Sequence, residues 1–568
     1  MIRIVSFITF SLILISCINN TGTRKNIIIE GRGIIVKKGM VVSAHPQSSR
    51  IGAEILKKGG NAIDAAVATE LALAVCFPEA GNIGGGGFML IRTGDGNYDA
   101  IDYREKAPLK ASRDMFLDKN GNVVKGLSTR SHLASGVPGT IDGILSVHKK
   151  YGRLNFKDVI QPAIDLAEKG FALTRTEADA INKRRNIFIE RNVKWPAFVK
   201  DSLWQEGDIL KQPELAATLK RIRDYGRDGF YSGKTAELLV KEMARGNGLI
   251  SERDLEEYSA VWRKPLSGNY RGYMIVSISP PSSGGITLLQ LLGMCENYQL
   301  KEWGFHSVKA VHLMTEAEKR AFADRSEFLG DPDFVAIPVK KLLNKKYLEE
   351  RMKSFTDDKA SLSSEIHHGS PESYISEETT HYSVVDAEGN AVSTTTTLNG
   401  SYGNYIVVDG AGFFLNNQMD DFSIKPGFPN MYGLVGGEAN SIGPGKRMLS
   451  SMTPTIVEKE GKLFMVVGSP GGSTIATTVF QVIVNTIDFG MSIQDAVDAG
   501  RFHHQWMPDS IGYEKNSLDS ITVIKLESMG HKLKTRSAFG RVNAIMILPD
   551  GNIAGGADRR GDNIAAGF

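Results

Sequence analysis

The strand-forming segments of this chain fall into two blocks, one before about residue 110 and one after residue 380, with a long helix-rich stretch between them. In the first block "FMLIRT" (88–93), "GDGN" (94–97) and "YDAIDYRE" (98–105) read as strand, turn and strand. Ahead of them, "SSRIGAEILKKGGNAIDAAVATELALAVC" (48–76) reads as two helices broken at Gly59–Gly60, with Asn61 capping the second. The middle, about 110–355, carries amphipathic helical patterns such as "PELAATLKRIRDYG" (213–226) and "VKAVHLMTEAEKRAFADR" (308–325). Strands and glycine turns then return as "YSVVD" (382–386), "AVSTTTTL" (391–398), "YIVVD" (405–409) and "GFFLNN" (412–417). "PTIVEKEGKLFMVVG" (454–468) is a hairpin turning at "EGK", and "GSPGGST" (468–474) opens an apolar helix. There is no internal repeat. Two sheets, each covered by helices, accommodate this order economically.

With 568 residues, 42% of them hydrophobic, the chain can bury a large core. Its 67 basic and 64 acidic residues leave a net charge of +3, which gives no electrostatic reason to expect nucleic acid. The basic cluster "NKRRN" (182–186) reads as a solvated helix face. The apolar run "IVSFITFSLILIS" (4–16) falls short of the ~20 residues that span a bilayer. It fits the core of a secretory signal. Its end, "LISC" (14–17), resembles the bacterial lipobox, so Cys17 is expected to carry lipid; an ordinary signal with a chance cysteine is the other reading. "INNTGTRKN" (18–26) is then a polar tether, and the protein is expected to be exported and lipid-anchored on the periplasmic or cell-surface side. Cys76 and Cys295 sit in apolar helical patterns and read as buried thiols, with no disulfide framework. "IATTVFQVIVNTIDF" (475–489) is short and contains Gln, Asn and Asp, so it reads as a buried core helix rather than a membrane span.

Familiar catalytic and binding signatures are missing. His367–His368 and His503–His504 are adjacent pairs, which chelate poorly, and no Cys/His zinc spacing occurs. There is no GxSxG elbow. The four glycines 84–87 precede a strand and lack a following Gly-Lys-Ser/Thr, so close backbone packing explains them better than a phosphate cradle. What remains is the junction at Thr379–Thr380, where the polar stretch "ASLSSEIHHGSPESYISEE" (360–378) meets the strand "YSVVD". Threonine suits strands, which is the plain reading. The sharper one is a cut before Thr379. An N-terminal threonine supplies both nucleophile and base, because its α-amine titrates near 7.7–8.0 and a backbone amide cannot accept a proton. Acyl transfer also needs an oxyanion site. "GSPGGST" offers glycine N–H groups leading into a helix N-terminus, or simply a turn and cap. "NNQMDDFS" (416–423) places two carboxylates in a loop, "LSSMTPT" (449–455) two hydroxyls, and "DYREKAP" (102–108) the fork of Arg104.

Taken together, "GNIGGGGFML", "DYREKAP", "TTHYSVVD", "LNNQMDDFS", "LSSMTPTIV", "GSPGGS" and "RFHHQWMPD" resemble the γ-glutamyltranspeptidases, or glutathione hydrolases, of the N-terminal-nucleophile hydrolase superfamily. The resemblance runs from about residue 36 to the C-terminus. It implies an α+β fold, a four-layer αββα sandwich built jointly by two fragments of one precursor. Residues 1–17 would be the signal, 18–35 the tether, 36–378 a large subunit and 379–568 a small one, with cleavage between Glu378 and Thr379. Thr379 would be the nucleophile, Thr397 its hydrogen-bond partner, and Gly471 and Gly472 the oxyanion pair. Arg104, Ser450 and Ser451 would take the substrate's α-carboxylate, and Asn399, Gln418 and Asp421 its α-amine. No cofactor or metal is implied. "KPGFPNMYGLVGGEANSIGPGK" (425–446) matches the family's lid, with Tyr432 as the covering aromatic; some relatives lack it and act on poly-γ-glutamyl chains, so its presence favours small substrates. The implied reaction moves γ-glutamyl from glutathione and similar amides to water, amino acids or dipeptides. A related acylase acting on glutaryl β-lactam side chains would not need the ammonium-binding Asp421. A surface lipoprotein that only binds would be expected to lose Thr379, Thr397 or the glycine pair.

Overall fold

The computed structural model describes residues 27–367 and 379–568; Cys17, His368 and Glu378 lie outside the described residues. Two antiparallel sheets face each other. The eight-stranded sheet runs Ile29–Gly31, Ile564–Gly567, Met40–Ser43, Thr380–Val385, Ala391–Thr397, Gly86–Arg92, Tyr98–Asp102 and Val261–Arg263. The seven-stranded sheet runs Ile35–Val36, Ile553–Ala557, Asn543–Ile547, Lys462–Gly468, Thr455–Lys459, Tyr273–Ser277 and Leu266–Tyr270.

Strand alternation sorts the apolar side chains into layers. In the first sheet Val41, Met89, Ile91, Ile101 and Val384 pack outward against helices that include Pro46–Lys57 and Ala62–Cys76. Their neighbours Met40, Val42, Phe88, Leu90 and Val385 point inward and meet Val276, Ile456, Val466 and Ile545 of the second sheet. The other face of that sheet, with Ile275, Val457, Met465 and Val467, packs on helices Gly284–Cys295, Val308–Phe328 and Ile475–Ile487. The result is the four-layer αββα sandwich. Both sheets mix strands from either side of Thr379: in the first, Met40–Ser43 pairs with Thr380–Val385 and Ile564–Gly567, and Gly86–Arg92 with Ala391–Thr397; in the second, Tyr273–Ser277 pairs with Thr455–Lys459.

The local chemistry matches the sequence at the elements that carry the site. The Asn61 side chain accepts from the Ile63 and Asp64 amides at 3.0 Å each, and Asp64 accepts from the Asn61 amide at 3.0 Å, closing a capping box on a helix buried along its whole length. Glu460 (φ 52°) and Gly461 (φ 74°) make the primed turn that suits a tight hairpin. The helix Ile475–Ile487 is a core helix, and among the described residues no helix is long and apolar enough to cross a membrane. Cys76 and Cys295 are buried and free.

Two expectations are corrected. "YIVVD" and "GFFLNN" do not form strands; they share one isolated bridge, Val407 to Phe414. The bonds Val408 N to Phe413 O and Leu415 N to Ile406 O, both 2.9 Å, begin a ladder. Asn404 and Asn416 end it, because their side chains accept from the Ile406 and Gln418 amides at 3.1 and 3.0 Å. The helix-rich middle also contributes strands at 261–263, 266–270 and 273–277, too short for an apolar period to announce them.

Candidate active site

The pairing of Thr380 with Thr396 sets Thr379 beside Thr397, at the end of two central strands. Their hydroxyl oxygens lie 3.5 Å apart. Thr397 Oγ1 also accepts from the Asn399 amide at 2.8 Å. Asn399 has φ 73°, a left-handed conformation that asparagine tolerates better than most residues. It donates from Nδ2 to the Asn417 carbonyl at 3.0 Å, and its own carbonyl accepts from the Tyr432 hydroxyl at 2.6 Å. His381, two residues past Thr379, is engaged within the strand pair by Thr395 Oγ1 (3.0 Å) and Ser383 Oγ (3.1 Å). Burial pushes its imidazole down to about 3, so it is neutral at physiological pH.

Thr379 opens onto a cleft of about 270 Å³, and ten of the candidate residues line it. Gly471 stands one residue behind Gly472. Their φ values, 135° and 52°, lie in the region that favours glycine. The Thr474 amide donates to the Gly471 carbonyl at 2.9 Å, and the turn Gly472–Thr474 runs directly into helix Ile475–Ile487. The helix N-terminus is thus aimed at the floor of the cleft, where a developing anion is favoured.

At the far end Arg104, 1% exposed, donates from Nε to the Met448 carbonyl (3.3 Å) and from one Nη to the Leu449 carbonyl (3.2 Å), and forms an ion pair with Asp421. Asp421 also accepts from Gln418 Nε2 at 2.8 Å and Asn430 Nδ2 at 3.2 Å. Its neighbour Asp420 turns away, accepting from Ser128 Oγ (2.6 Å) and the Met431 amide (2.9 Å); burial pushes its carboxyl up to about 6. Only one of the two loop carboxylates therefore faces the cleft. Behind Arg104 lies Glu105, whose buried carboxyl oxygens have no hydrogen-bond partner; one is 3.8 Å from the Arg104 guanidinium. Burial pushes this carboxyl up to about 8, with Arg104 opposing.

Ser450 is fixed by its amide, which donates to the Pro281 carbonyl at 2.9 Å, and Ser450 Oγ accepts from the Met452 amide at 3.1 Å. Ser451 Oγ accepts from Arg325 at 3.3 Å, and Arg325 Nε donates to Ser283 Oγ at 3.0 Å. Arg325 and Ser283 come from the helical middle, where the sequence offered no chemistry to single out. The signal was there in another form: Glu316, Glu318, Lys319, Arg320, Asp324 and Arg325 all occupy one helix and all are buried.

Tyr432, in the segment 425–446, is 3% exposed and closes the cleft. A β-carbon on Gly472 would lie 2.5 Å from its ring, so lid and glycine turn are in direct contact. Gln505 Nε2 donates to the Tyr432 carbonyl at 3.2 Å, and His503 Nδ1 bonds Thr477 Oγ1 at 2.8 Å. "RFHHQWMPD" thus braces the lid and the helix behind the glycines. Away from the cleft, His312, Glu316 and His531 gather closely. Glu316 already holds Lys319 (2.9 Å) and Arg320 (2.6 Å), and the two imidazoles bond each other at 2.7 Å, so this group is a satisfied buried network.

Residues 48–568 match the family model described as Gamma-glutamyltranspeptidase. The chain is 50% identical over 540 residues to the glutathione hydrolase proenzyme of Escherichia coli (strain K12), covering 94% of this chain and 92% of that protein. It is 38% identical over 534 residues to the Acylase ACY 1 proenzyme of Pseudomonas sp. (strain SE83), covering 92% of each. Among solved structures, a cephalosporin acylase from Bacillus halodurans superposes with a TM-score of 0.81 at 26% identity, over 98% of this chain and 99% of that one. A γ-glutamyltranspeptidase from Helicobacter pylori matches with a TM-score of 0.56 at 44% identity, over 62% of this chain and 99% of that one.

Proposed function

The chain belongs to the gamma-glutamyltranspeptidase family, and on that premise we propose how its residues divide the reaction among them. It is a glutathione hydrolase and γ-glutamyltransferase made as a proenzyme, moving γ-glutamyl from glutathione and similar amides to water or to an amine. In maturation, Thr379 Oγ attacks the Glu378 carbonyl and the acyl group passes from nitrogen to oxygen. Water then cleaves the ester. The products are a large subunit ending at Glu378 and a small one beginning with a free Thr379 amine.

That amine serves as the base. It takes the Thr379 hydroxyl proton as Oγ adds to the γ-carbonyl, and Thr397 orients the hydroxyl. The oxyanion is held by the Gly471 and Gly472 N–H groups at the helix N-terminus. Collapse expels the amine of the substrate, which leaves with the proton. Water or an acceptor amine, deprotonated by the same base, then releases the γ-glutamyl group and restores Thr379.

The observation that carries the substrate assignment is the pair of opposite charges at the far end of the cleft, Arg104 and Asp421. A γ-glutamyl group is a zwitterion with its reactive carbonyl on the side chain. Arg104 with Ser450 and Ser451 suits the carboxylate, and Asp421 with Gln418 and Asn399 suits the ammonium, at a fixed reach from Thr379. The two charges pair with each other, which avoids leaving either buried alone. Asp421 also favours γ-glutamyl over glutaryl substrates. Tyr432 and its segment 425–446 favour small donors. Amino acids and dipeptides are the proposed acceptors, and a lipid on Cys17 would hold the enzyme at the outer side of a membrane.

The test is release of a chromophoric amine from a γ-glutamyl anilide, with and without an added dipeptide. Turnover confined to glutaryl anilide would refute the clamp. Cys17→Ser should release activity into the soluble fraction; wild-type enzyme already soluble, with an N-terminus beyond Cys17, would refute the anchor.

A further inference from the structure

The α-carboxylate end of the cleft has more positive charge than the residues lining it supply. Arg325 stands directly behind the serine pair, in the helix Val308–Phe328, and is 6% exposed. Its Nε donates to Ser283 Oγ (3.0 Å) and an Nη donates to Ser451 Oγ (3.3 Å). Ser283 Oγ in turn donates to the Ser450 carbonyl at 2.6 Å, and the Ser283 amide donates to the same carbonyl at 2.8 Å. One guanidinium therefore braces both consecutive serines, one through its hydroxyl and one through its backbone. Burial pushes Arg325 down to about 10, and the charge that opposes this is Asp421. The guanidinium remains charged at neutral pH. Asp421 is thus shared between Arg104, which it touches, and Arg325 behind. Glu105 is held in its protonated form by burial, and Asp420 is turned away onto the Ser128 hydroxyl and the Met431 amide.

Two consequences follow from this arrangement. Ser451 Oγ receives a charge-assisted hydrogen bond, so its own proton must be donated elsewhere, and the cleft is the direction its place in the lining allows. Two buried guanidinium groups, Arg104 and Arg325, also converge on this end of the cleft, an arrangement that suits an incoming carboxylate. We propose that Arg325 is a positioning residue for the substrate's α-carboxylate, fixing Ser451 as a hydrogen-bond donor and supplying the second positive charge of that subsite, without touching the reacting carbonyl. This rests on the γ-glutamyl reading of the cleft.

The experiment compares two anilides that differ only in the α-carboxylate: γ-glutamyl anilide and 4-aminobutyryl anilide. Wild-type turnover of the first establishes the underlying reading, so the variants report on Arg325 alone. Arg325→Met, with cleavage into two chains confirmed on a gel, should lower kcat/KM for γ-glutamyl anilide by about 100-fold, mostly through KM. It should leave 4-aminobutyryl anilide within about threefold. Ser283→Ala, which keeps the charge and loosens its hold, should give a smaller loss of about tenfold with the same selectivity. If Arg325→Met does not fold, Ser283→Ala and Arg325→Lys are read the same way. A parallel fall on both anilides in the processed variants, or no fall on either, overturns the proposal, because a merely structural arginine would not distinguish a substrate by its carboxylate.

Discussion

Replacing Gly472 by alanine tests the glycine turn and the lid in one step. The backbone at Gly472 has φ 52°, which costs an L-residue roughly 1–2 kcal/mol. The added β-carbon would lie 2.5 and 2.6 Å from Cδ1 and Cε1 of Tyr432, against an ordinary carbon contact of about 3.5–4.0 Å. The ring must retreat by about 1 Å. It is tied at both ends, by its hydroxyl to the Asn399 carbonyl (2.6 Å) and by its amide to Asn430 Oδ1 (3.0 Å). Breaking the phenol bond costs about 0.5–1.5 kcal/mol more. The total, about 1.5–3.5 kcal/mol, corresponds to a fall in kcat/KM of roughly 10- to 400-fold when it falls on the reaction. The assay is γ-glutamyl anilide hydrolysis by processed Gly472→Ala, Tyr432→Ala and the double variant. In the double variant the ring is absent, so only the backbone cost remains and the two effects should be less than additive. Strict additivity, or a Gly472→Ala enzyme within twofold of wild type, would refute the contact between the glycine turn and Tyr432.

Thr379→Ala should remain a single chain without turnover, while Thr379→Ser should retain part of both activities; N-terminal sequencing of the wild-type small fragment should begin TTHYS. Arg104→Lys keeps the charge but loses the fork to Met448, Leu449 and Asp421, and Asp421→Asn leaves the proposed ammonium site neutral. Each should still be processed and should lose roughly 2–5 kcal/mol of binding, read as kcat/KM on γ-glutamyl anilide; wild-type values would reopen the substrate assignment. Glu105 is raised in the fold from an ordinary carboxylate value to about 8, so its contribution is fully present below its unfolded value and is lost as pH rises through about 8. Glu105→Gln should therefore flatten a decline on the order of 4 kcal/mol in stability between about pH 5 and 9, measured by urea unfolding; an unchanged slope would show that Glu105 is not the group responsible.

Much of this architecture was legible in the chain because local and tertiary preferences agree there. Asn61 announces a helix start, "EGK" the turn of a hairpin, and "TTHYSVVD…AVSTTTTL" a second hairpin, and each is found in place. The lining of the cleft was legible through the family resemblance that the ordered motifs carry together, and the fold brings those motifs around Thr379. The segment 405–417 was misread because β-branched and aromatic residues there satisfy burial, while asparagine side chains take the amides that a ladder would need. Arg325 and Ser283 were illegible for a different reason. Their role is set by a contact between a helix and a loop more than a hundred residues apart, and helical periodicity says only that Arg325 lies on a buried face.

The alternation of strands from either side of Thr379 has a consequence for the life of the enzyme after it is cut. Ordinary subunits meet across a surface and part again on dilution. Here the two pieces interleave through the middle of the eight-stranded sheet and meet again near the edges of the other, so parting them means unzipping Met40–Ser43 from Thr380–Val385, Gly86–Arg92 from Ala391–Thr397 and Tyr273–Ser277 from Thr455–Lys459 at once. Dilution should not separate them, and pieces expressed apart should not find each other unless they fold together. Once unfolded, the severed chain has lost the covalent tether that brought its strands into register. Its persistence is then governed by how slowly it opens, rather than by an equilibrium it can return to.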